Sequence, residues 1–435
     1  MRTVVALIPS APKPTGKLPP QDWITTAETQ AVIDALQADG AAVRFVGGCV
    51  RDALAKRPVI DIDIATPDPP ETVIGLLERA AIKAVPTGIE HGTVTAIVDR
   101  KSFQITTLRR DVETDGRHAK VAFTDDWVVD ASRRDFTVNT MSASPEGDIY
   151  DPYDGISDLA DGRIRFVGLA QERVDEDVLR ILRFFRFQGA YGRPPANRDA
   201  LAACRSRAEK LTGLSGERVR DELFRILLTP YPADVMLMMR GERVIEHILP
   251  ELGDINRLRM LNWLETRAIV IPSVSPDALR RLAALVDTDA AGAETISGRL
   301  RLSNANRDRF AGLVSPGVEF DADMGDAAEK LAIRRLGADR VCDLCLLAWA
   351  KELALGPRLP SERTESWIAI LKRADQWSPP AFPLSGDDVT ALGITKGRRV
   401  GVLLSRVENW WENGDYRAAR QACLDRLLKL VDEDS

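Results

Sequence analysis

Two aspartates on a predicted strand, Asp61 and Asp63, are the residues of this chain best suited to bind a metal ion. They lie at positions i and i+2 of the segment IDIDIA, and alternate residues of a strand share a face. Both carboxylates should therefore point the same way, with Ile60, Ile62 and Ile64 on the opposite, buried face. Adjacent acids repel each other unless a positive charge lies between them, and a divalent cation with oxygen ligands supplies one. A solvated acidic strand edge is the alternative.

A glycine turn comes shortly before the aspartates and could hold a phosphate. Gly47 and Gly48 follow a predicted strand at 43–46, and a helix carrying Arg51 and Asp52 opens directly after them. Glycine lets backbone N–H groups approach a phosphate closely, and arginine can neutralise its charge. Together with the two carboxylates, this turn provides the positioning, charge neutralisation and metal ligands that phosphoryl or nucleotidyl transfer requires.

A second group of charged residues is the segment RRDFTVN, in which Arg133 and Arg134 directly precede Asp135. The pattern predicts a helix start with cationic side chains near a site, because arginine suits bidentate contact with phosphate. A surface arginine–aspartate pair, which contributes little to stability, is the alternative.

A third group lies in EDVLRILRFFRF, which is predicted to be one largely buried helix beginning near Glu176. Asp177, Arg180 and Arg183 recur every three residues and would form one polar stripe. Buried charges need a ligand or partner charges, although a salt-bridge ladder within the helix is the alternative.

This stripe could read a nucleotide base. A carboxylate accepts a hydrogen bond from the exocyclic amine of cytosine or adenine, whereas uracil and guanine present a carbonyl at that place. One aspartate–arginine pair could thus accept C and A and reject U and G without a nucleic-acid template.

Composition indicates a folded protein of several domains. The chain has 435 residues, 45% hydrophobic and 29% charged, with a net charge of −6, so no global basic field indicates nucleic-acid binding. Residues 163–228 differ, because we count 14 Arg and Lys against 9 Asp and Glu there. This local excess favours a polyanion site, and ordinary surface arginines are the alternative.

Cysteine usage and apolar runs bear on the compartment. The five cysteines are few and scattered, which is typical of a reducing compartment, and the lone CxxC of Cys342 and Cys345 lies in an apolar helical run that favours core packing. No segment approaches the roughly 18 apolar residues of a membrane span, and the first apolar run is too short for a secretory signal. We expect a cytoplasmic protein with no membrane contact.

Periodicity divides the chain into a mixed part and a helical part. Up to about residue 162, helices and strands alternate, and from residue 172 onward nearly every segment has a 3.6-residue apolar period. In the first part we predict helices at 27–38 and 71–81, strands at 93–98, 103–108 and 148–150, a hairpin turn at Asp99, Arg100 and Lys101, and a polar loop or weak ribbon at 109–122.

Taken in order, these motifs resemble the bacterial tRNA nucleotidyltransferases of the CCA-adding type and their sister enzymes, the poly(A) polymerases. The resemblance covers roughly residues 40–250 and, less specifically, a segment near the C-terminus. It rests on GGCVRD with IDIDIA, RRDFTVNTMSA, DPYDGISDLADGRIR, EDVLRILRFFRF, LSGERVRDEL and LSGDDVTALGITKGRRVGVLL.

The resemblance implies an α+β fold, with a small polymerase-β-like nucleotidyltransferase head of mixed sheet plus helices, followed by an all-helical neck, body and tail. The expected divisions are an irregular lead at 1–26, the catalytic head at 27–165, the neck for nucleotide selection and RNA binding at 166–250, and the tRNA-binding body and tail at 251–435.

The resemblance also implies roles for individual residues. Catalysis and metal binding fall to Asp61 and Asp63, and residues Glu217, Arg218 and Glu222 would brace the neck. The segment 109–122 matches the flexible loop that such enzymes need when they switch from C to A addition. Nucleotide binding falls to Gly47, Gly48, Arg51, Arg134, Asp177, Arg180, Arg183 and Arg186.

The implied activity is template-independent addition of C, C and A to tRNA 3′ ends. The substrates would be CTP and ATP, the cofactor two Mg²⁺ ions, and the macromolecular partner tRNA, bound through its acceptor stem and elbow, with no role for DNA. Poly(A) polymerase is the alternative, but those relatives carry a basic, aromatic segment after the second aspartate, where this chain reads VPTGIEHGTVTAI. An A-only enzyme and a non-catalytic RNA-binding scaffold are further alternatives. Many relatives also carry an acid where this chain has Gln104. If that acid assists metal binding or catalysis, Asp99 could take its place here.

Overall fold

The protein is described by a computed structural model that covers residues 13–114, 119–394 and 397–433. The chain folds as two compact units, each described by itself below. The first comprises Met1–Leu252 with Gly298–Arg301, and the second comprises Gly253–Ser297 with Leu302–Ser435.

A mixed sheet forms the centre of the first unit. The strands are β1 Gly16–Lys17, β2 Arg44–Val46, β3 Ile62–Thr66, β4 Lys83–Gly88, β5 Thr93–Val98, β6 Lys101–Thr107, β7 Arg109–Thr114, β8 Ala119–Phe123, β9 Ser142–Ala143 and β10 Asp148–Tyr150. Eight of them form one sheet in the order β1-β10-β9-β2-β3-β6-β5-β4, and β7 pairs with β8 as a separate ribbon. Strand β2 is antiparallel to β3 and β9, whereas β3 is parallel to β6.

Helices cover one face of the sheet and continue beyond it. They are α1 Asp22–Thr25, α2 Ala27–Gln37, α3 Gly48–Leu54, α4 Pro70–Arg79, α5 Trp127–Ser132, α6 Gly155–Asp161, α7 Ala170–Glu176, α8 Arg180–Tyr191, α9 Arg198–Arg207, α10 Gly216–Leu227 and α11 Pro232–Gly241. The predicted helices at 27–38 and 71–81 are thus confirmed as α2 and α4, with ends that differ by one or two residues.

The two faces of the sheet have different chemistry because strand residues alternate. Ile64 of β3 and Phe103 and Ile105 of β6 are fully buried in the core that includes residues of α2 and α4. Between them, Asp63 and Gln104 face a cavity on the other side of the sheet. Burial of the apolar face therefore determines which polar side chains face the cavity.

Some local expectations were wrong. Ile60 was placed on the buried face, but it is 87% exposed, because β3 begins only at Ile62 and strand alternation does not extend back to it. The irregular lead contains a two-residue strand, β1, which pairs with β10, and a short helix, α1; its residues 1–12 lie outside the described residues. Strand β4 was missed, since it is a partly exposed edge strand containing a proline.

An aromatic cluster packs helix α8 against the segment after α5. Phe136 is fully buried, with its ring centroid 4.8 Å from Phe166, 6.4 Å from Phe184 and 5.1 Å from Phe187. Burying an aromatic side chain contributes about 1.5–3 kcal/mol. The cluster therefore holds the RRD segment close to the charged residues of α8.

The second unit is helical. Its helices are α12 Ile255–Trp263, α13 Ala278–Leu285, α14 Ala290–Arg299, whose last residues belong to the first unit, α15 Asn304–Val314, α16 Asp326–Leu336, α17 Ala338–Leu355, α18 Ser361–Gln376, α19 Gly386–Thr390, α20 Arg398–Asn413 and α21 Arg420–Glu433. Cys342 and Cys345 of α17 are buried free thiols, which confirms their predicted core packing. No helix in the described ranges of the chain is long and apolar enough to cross a membrane.

A buried ion network stabilises this helical unit. The Glu265 side chain is fully buried, and it accepts hydrogen bonds from Arg280 Nε at 2.7 Å and Arg281 Nε at 2.6 Å. Arg280 also donates to Asp343 at 2.7 Å, and Arg309 pairs with the same aspartate. Opposite charges are therefore matched within a low-dielectric interior.

We expect Glu265→Gln to destabilise the second unit by about 3 kcal/mol, because removal of one partner leaves buried cations uncompensated. Urea unfolding would measure this loss. The matched control is Glu294→Gln, since Glu294 is 59% exposed and lies 3.4 Å from Arg307, so the expected change is below about 1 kcal/mol. Equal effects of the two substitutions would contradict the stabilising role of the network.

Candidate active site

The glycine turn at the end of β2 brings an arginine close to the backbone. Gly47 has φ 69° and ψ −116°, and a Cβ at this position would lie 2.9 Å from Arg134 Nη1. A side chain is thus excluded both by the positive φ and by the arginine. The turn leads into α3, whose first turn places Arg51 beside the same space.

Arg51 is held rigidly by its neighbours. Its Nε and Nη2 each donate to the carboxylate of Asp52 at 3.0 Å, and its Nη1 donates to Asn139 Oδ1 at 2.6 Å. Its guanidinium lies 4.5 Å from the ring centroid of Tyr191, whose hydroxyl donates to Asp52 Oδ1 at 2.6 Å. The ring centroid of Phe187 lies 5.1 Å from the same guanidinium. A cation fixed in this way can meet a phosphate without losing much side-chain entropy.

Arg133 and Arg134 were predicted to start a helix. They instead follow directly after the end of helix α5. The helix ends at Ser132, and only a 3-10 turn at Thr137–Asn139 follows. Asp130, about one helical turn earlier, pairs with both guanidinium groups. Sequence reasoning missed Asp130, although its i, i+3 and i, i+4 spacing to the two arginines was a usable signal.

The two aspartates of the IDIDIA segment have different environments. Asp63 faces the cavity, and burial raises its pKa; the charge of Asp61 raises it further, while Arg134 and Arg51 oppose the rise. Asp61 is exposed and precedes the first residue of β3. It is the one predicted site residue that is not among the described residues lining the cavity.

Gln104 lies directly beside Asp63. The two residues are register partners in the parallel pairing of β3 with β6, and both line the cavity. A neutral amide is therefore adjacent to Asp63 in the neighbouring strand. Asp99 does not supply an acid there, because it lies in the hairpin turn between β5 and β6 and does not line the cavity among the described residues.

The predicted helical stripe of α7 and α8 is broken at Asp177. This residue has extended backbone angles, φ −149° and ψ 108°, between the two helices, so it does not continue the stripe of Arg180 and Arg183. The carboxylate instead accepts from the backbone N–H of Leu179 at 3.1 Å and from Arg218 Nη2 at 3.0 and 2.8 Å. A side-chain hydrogen bond to the start of the following helix is the usual reason for such a break.

The arginines that follow Asp177 also have acidic partners. Arg180 donates to Glu176 at 2.5 Å and to the carbonyl oxygen of Arg133 at 3.3 Å. Arg186 Nε lies 2.8 Å from Glu222 Oε2, as an ion pair without hydrogen-bond geometry. Glu222 of α10 therefore contacts α8, and Arg218 of α10 contacts Asp177, whereas Glu217 is exposed.

Arg183 reaches from α8 to the RRD segment. Its Nε donates to Asp135 Oδ2 at 2.7 Å, and Asp135 Oδ1 accepts from Asn139 Nδ2 at 2.9 Å. Burial by itself would raise the pKa of Asp135, but the charge of Arg183 and the hydrogen bonds from Asn139, Arg183 and the backbone of Phe136 outweigh it, and the pKa lies below its usual value. Since Asn139 also contacts Arg51, a continuous polar network joins α8 to α3.

Most of the predicted site residues line one cavity of about 660 Å³ within the first unit. Among the described residues, eight arginines and three aspartates line it, so it is strongly cationic apart from the carboxylates of Asp63, Asp135 and Asp177. Such a space suits a polyanion of the size of a nucleoside triphosphate. Nine of the ten predicted site residues meet there: Gly47, Gly48, Arg51, Asp63, Arg134, Asp177, Arg180, Arg183 and Arg186.

The segment expected to be a loop or weak ribbon at 109–122 is a two-stranded ribbon. Strands β7 and β8 pair from Arg109 with Phe123 to Thr114 with Ala119, and residues 115–118 lie outside the described residues. Its first residue, Arg109, lines the cavity.

Comparison with known proteins identifies the same elements. Residues 43–165 match the family "Poly A polymerase head domain", and residues 197–255 match "Probable RNA and SrmB- binding site of polymerase A".

Two relatives span most of this chain. "CCA tRNA nucleotidyltransferase 1, mitochondrial" of Danio rerio is 33% identical over 390 residues, which are 88% of this chain and 86% of that protein. "CCA-adding enzyme" of Streptococcus sanguinis (strain SK36) is 33% identical over 340 residues, 77% of this chain and 79% of that protein.

The fold is shared with a solved CCA-adding enzyme. The crystal structure of the Bacillus stearothermophilus enzyme in complex with CTP matches with a TM-score of 0.74 and 24% identity, over 94% of this chain and 99% of that chain. This likeness confirms the α+β fold with a polymerase-β-like head and a helical remainder. The relatives come from mitochondria as well as bacteria, so the bacterial restriction in the predicted resemblance is dropped. The chain belongs to the family of CCA-adding tRNA nucleotidyltransferases and poly(A) polymerases.

Proposed function

We propose that this protein adds C, C and A to tRNA 3′ ends, using CTP and ATP without a template and releasing pyrophosphate. The observation that carries the proposal is one cavity that joins Asp63 and Arg51 at the sheet to Asp177 and Arg180 at the helices. The first pair suits the triphosphate and the second suits a base. The names of the two relatives support tRNA as the acceptor, and the CTP complex of the solved neighbour supports the nucleotide.

The reaction would join the 3′-hydroxyl oxygen of tRNA to the α-phosphorus of the nucleotide, and the hydroxyl proton would pass to solvent water. The bond from that phosphorus to the bridging oxygen of the β-phosphate breaks, and pyrophosphate leaves with the electron pair of that bond. Arg51 and Arg134 would bind the triphosphate and neutralise the charge that develops on the leaving group. Their fixed positions, set by Asp52 and Asp130, mean that little reorganisation is needed during the reaction.

Mg²⁺ fits the carboxylates present. Among the described residues, no three His, Cys, Asp or Glu side chains come together as a metal site, so Asp61 and Asp63 would hold the ions with substrate oxygens and water. Mg²⁺ is typically bound in this way, by one or two carboxylates together with phosphate groups. When bound, it lowers the pKa of the attacking hydroxyl and neutralises the leaving group. The charge repulsion between the two aspartates supports this assignment.

Asp177 and Arg180 would read the Watson–Crick edge of the base. A carboxylate has about four acceptor sites, and three described hydrogen bonds, from Leu179 and Arg218, orient the Asp177 group. The exocyclic amine of C or A could donate to the remaining site, while Arg180 would donate to a ring acceptor after leaving Glu176. Arg183 and Arg186 would support the base and the phosphates.

Product sequencing tests the proposal. The protein would be incubated with Mg²⁺, CTP and ATP and with tRNAs ending before C, after CC and after CCA. We expect completed CCA ends on the first two and no extension of the third. Long A tails made from ATP alone would favour a poly(A) polymerase, and failure to add C would favour an A-only enzyme. Absence of pyrophosphate release with CTP and tRNA would leave a non-catalytic RNA-binding scaffold.

Replacing Gln104 with glutamate is expected to lower the Mg²⁺ concentration needed for half-maximal incorporation. The new carboxylate would lie beside Asp63 and increase the negative charge that attracts the ion. A shift of about threefold or more corresponds to a modest gain in binding free energy. Gln104→Ala is the control, because it removes the amide without adding charge. An unchanged Mg²⁺ dependence would place Gln104 outside the metal site.

We also propose the domain divisions and the compartment. The catalytic head at 27–165 is supported by the head-domain match at 43–165, and RNA binding by the neck at 166–250 is supported by the match at 197–255. The tRNA-binding body and tail at 251–435 rest on the resemblance of the motifs. The buried free thiols are typical of a reducing compartment such as the cytoplasm. Imaging of a fluorescent fusion in cells would test the proposed compartment.

A further inference from the structure

A single buried carboxylate, that of Asp130 on helix α5, contacts several parts of the site. Only 4% of this residue is exposed. Its Oδ1 accepts from Arg133 Nε at 2.9 Å, from Arg133 Nη2 at 2.7 Å and from the backbone N–H of Arg109 at 3.2 Å. Its Oδ2 accepts from Arg134 Nη2 at 3.1 Å. All four donors are thus held by one rigid group.

These donors belong to structurally distinct parts of the cavity. Arg109 is the first residue of the ribbon strand β7, and its neighbour Leu108 is anchored in the large sheet through a hydrogen bond to Thr66. Arg134 lies against the glycine turn at Gly47. The carbonyl oxygen of Arg133 accepts from Arg180, one of the two proposed base-reading residues.

The charge of Asp130 is needed for this arrangement. Burial alone would raise its pKa, but the charges of Arg134 and Arg133 outweigh burial and hold the pKa below its usual value. The carboxylate is therefore an anion at neutral pH. A neutral side chain could still accept one or two hydrogen bonds, but it could not attract two guanidinium groups at once.

We propose that Asp130 is a positioning residue that keeps the start of the ribbon and Arg134 in a fixed relation, so that the hold on the triphosphate and the orientation of the ribbon depend on each other. This inference rests on the proposed function, because Arg134 is taken to bind the nucleotide and the ribbon is taken to act in the change from C to A addition. It adds a residue to the site that the motif-based assignment did not contain.

A purely structural role for Asp130 would have different consequences. Loss of an ordinary buried ion pair would lower the melting temperature and would reduce C addition and A addition to the same extent. Coupling between the ribbon and Arg134 predicts instead unequal effects on the two additions, together with loosening of the ribbon.

The test compares Asp130→Asn with Asp126→Asn in the full chain. Asp126 is an exposed residue that caps the same helix by accepting from the N–H groups of Val128 and Val129. Asparagine caps helices about as well as aspartate, so this control leaves α5 intact. The measurements are KM and kcat for CTP with tRNA lacking CCA, KM and kcat for ATP with tRNA ending in CC, and deuterium exchange of the amides of β7 and β8.

For Asp130→Asn we expect KM for both nucleotides to rise about tenfold, as for the loss of a charged hydrogen bond. We further expect the ratio of A addition to C addition to change by about threefold or more, and ribbon exchange to be faster than in the control. Asp130→Glu keeps the charge and should restore KM in part. This second variant also tests the proposal if the asparagine variant folds poorly.

The proposal would be overturned if deuterium exchange of the β7 and β8 amides in Asp130→Asn were unchanged. It would also be overturned if the rates of C addition and A addition fell equally while KM for CTP and ATP stayed unchanged. Failure of the proposed function is distinguished by the unmodified protein, which would then not complete CCA ends. In that case ribbon exchange and the binding of CTP and ATP still test whether Asp130 positions the ribbon and Arg134.

Discussion

Asp63→Asn is expected to reduce nucleotide incorporation by about 1000-fold or more, a loss of roughly 4 kcal/mol of transition-state stabilisation. The substitution keeps the shape of the side chain but removes one of two carboxylates that would hold Mg²⁺ against the triphosphate. Because Asp63 is proposed to bind the metal ion and not the RNA, tRNA affinity should change little. Single-turnover incorporation and tRNA binding would be measured side by side. Asp61→Ala should likewise abolish incorporation.

Asp99→Asn is the matched control for this experiment. Asp99 is exposed in the hairpin turn after β5 and has φ 45°, a conformation that asparagine tolerates well. We expect near-normal activity from this variant. Strong loss of activity in Asp99→Asn, or retained activity in Asp63→Asn, would show that the metal ligands have been assigned to the wrong aspartates.

The Asp63→Asn variant should also be more stable than the unmodified protein at neutral pH when Mg²⁺ is absent. Burial and the neighbouring Asp61 raise the pKa of Asp63 above its unfolded value, so its ionised form opposes folding. The difference should vanish below the unfolded pKa, where both states bind the proton, and should grow as pH rises through the raised pKa. Thermal unfolding at several pH values would measure it.

Asp177→Asn is expected to weaken discrimination against UTP by about 10–100-fold, since a correct pair of hydrogen bonds to a base edge contributes about 1–3 kcal/mol of discrimination. The amide can donate to the uracil carbonyl that the carboxylate repels. Incorporation of CTP, ATP, UTP and GTP into tRNA lacking CCA would be compared under single-turnover conditions. Asp175→Asn is the control, because Asp175 lies on α7 and pairs with Arg207 and Lys210 at the surface.

Unchanged rejection of UTP and GTP in Asp177→Asn would remove this residue from base reading. Efficient use of UTP or GTP by the unmodified protein would remove the base-reading assignment altogether. Loss of Arg218 should also weaken the rejection of UTP and GTP, because two of the hydrogen bonds that orient Asp177 come from this arginine.

Local sequence was sufficient where a functional residue and its support lie within one short segment. The turn at Gly47, the cation at Arg51 and the alternation that turns Asp63 away from the core each depend on a few consecutive residues. Strand β3 has a two-residue period, and its apolar partners in β6 have the same period, so the polar face could be predicted. The chemistry of the cavity followed from these segments, whereas the class of fold was implied by the resemblance of the ordered motifs.

Tertiary structure decided which charges meet. Asp177 leaves the helix because Arg218, 41 residues later, and the start of α8 bind its carboxylate, and no helical period could indicate that. Asp130 binds Arg109 across 21 residues, and Gln104 lies beside Asp63 only through the register of β3 with β6. The sequence by itself thus determined which side chains are available for catalysis and on which element each one lies. Their partners depend on packing between elements, because a charge in a largely buried site takes the nearest opposite charge that the assembled fold provides.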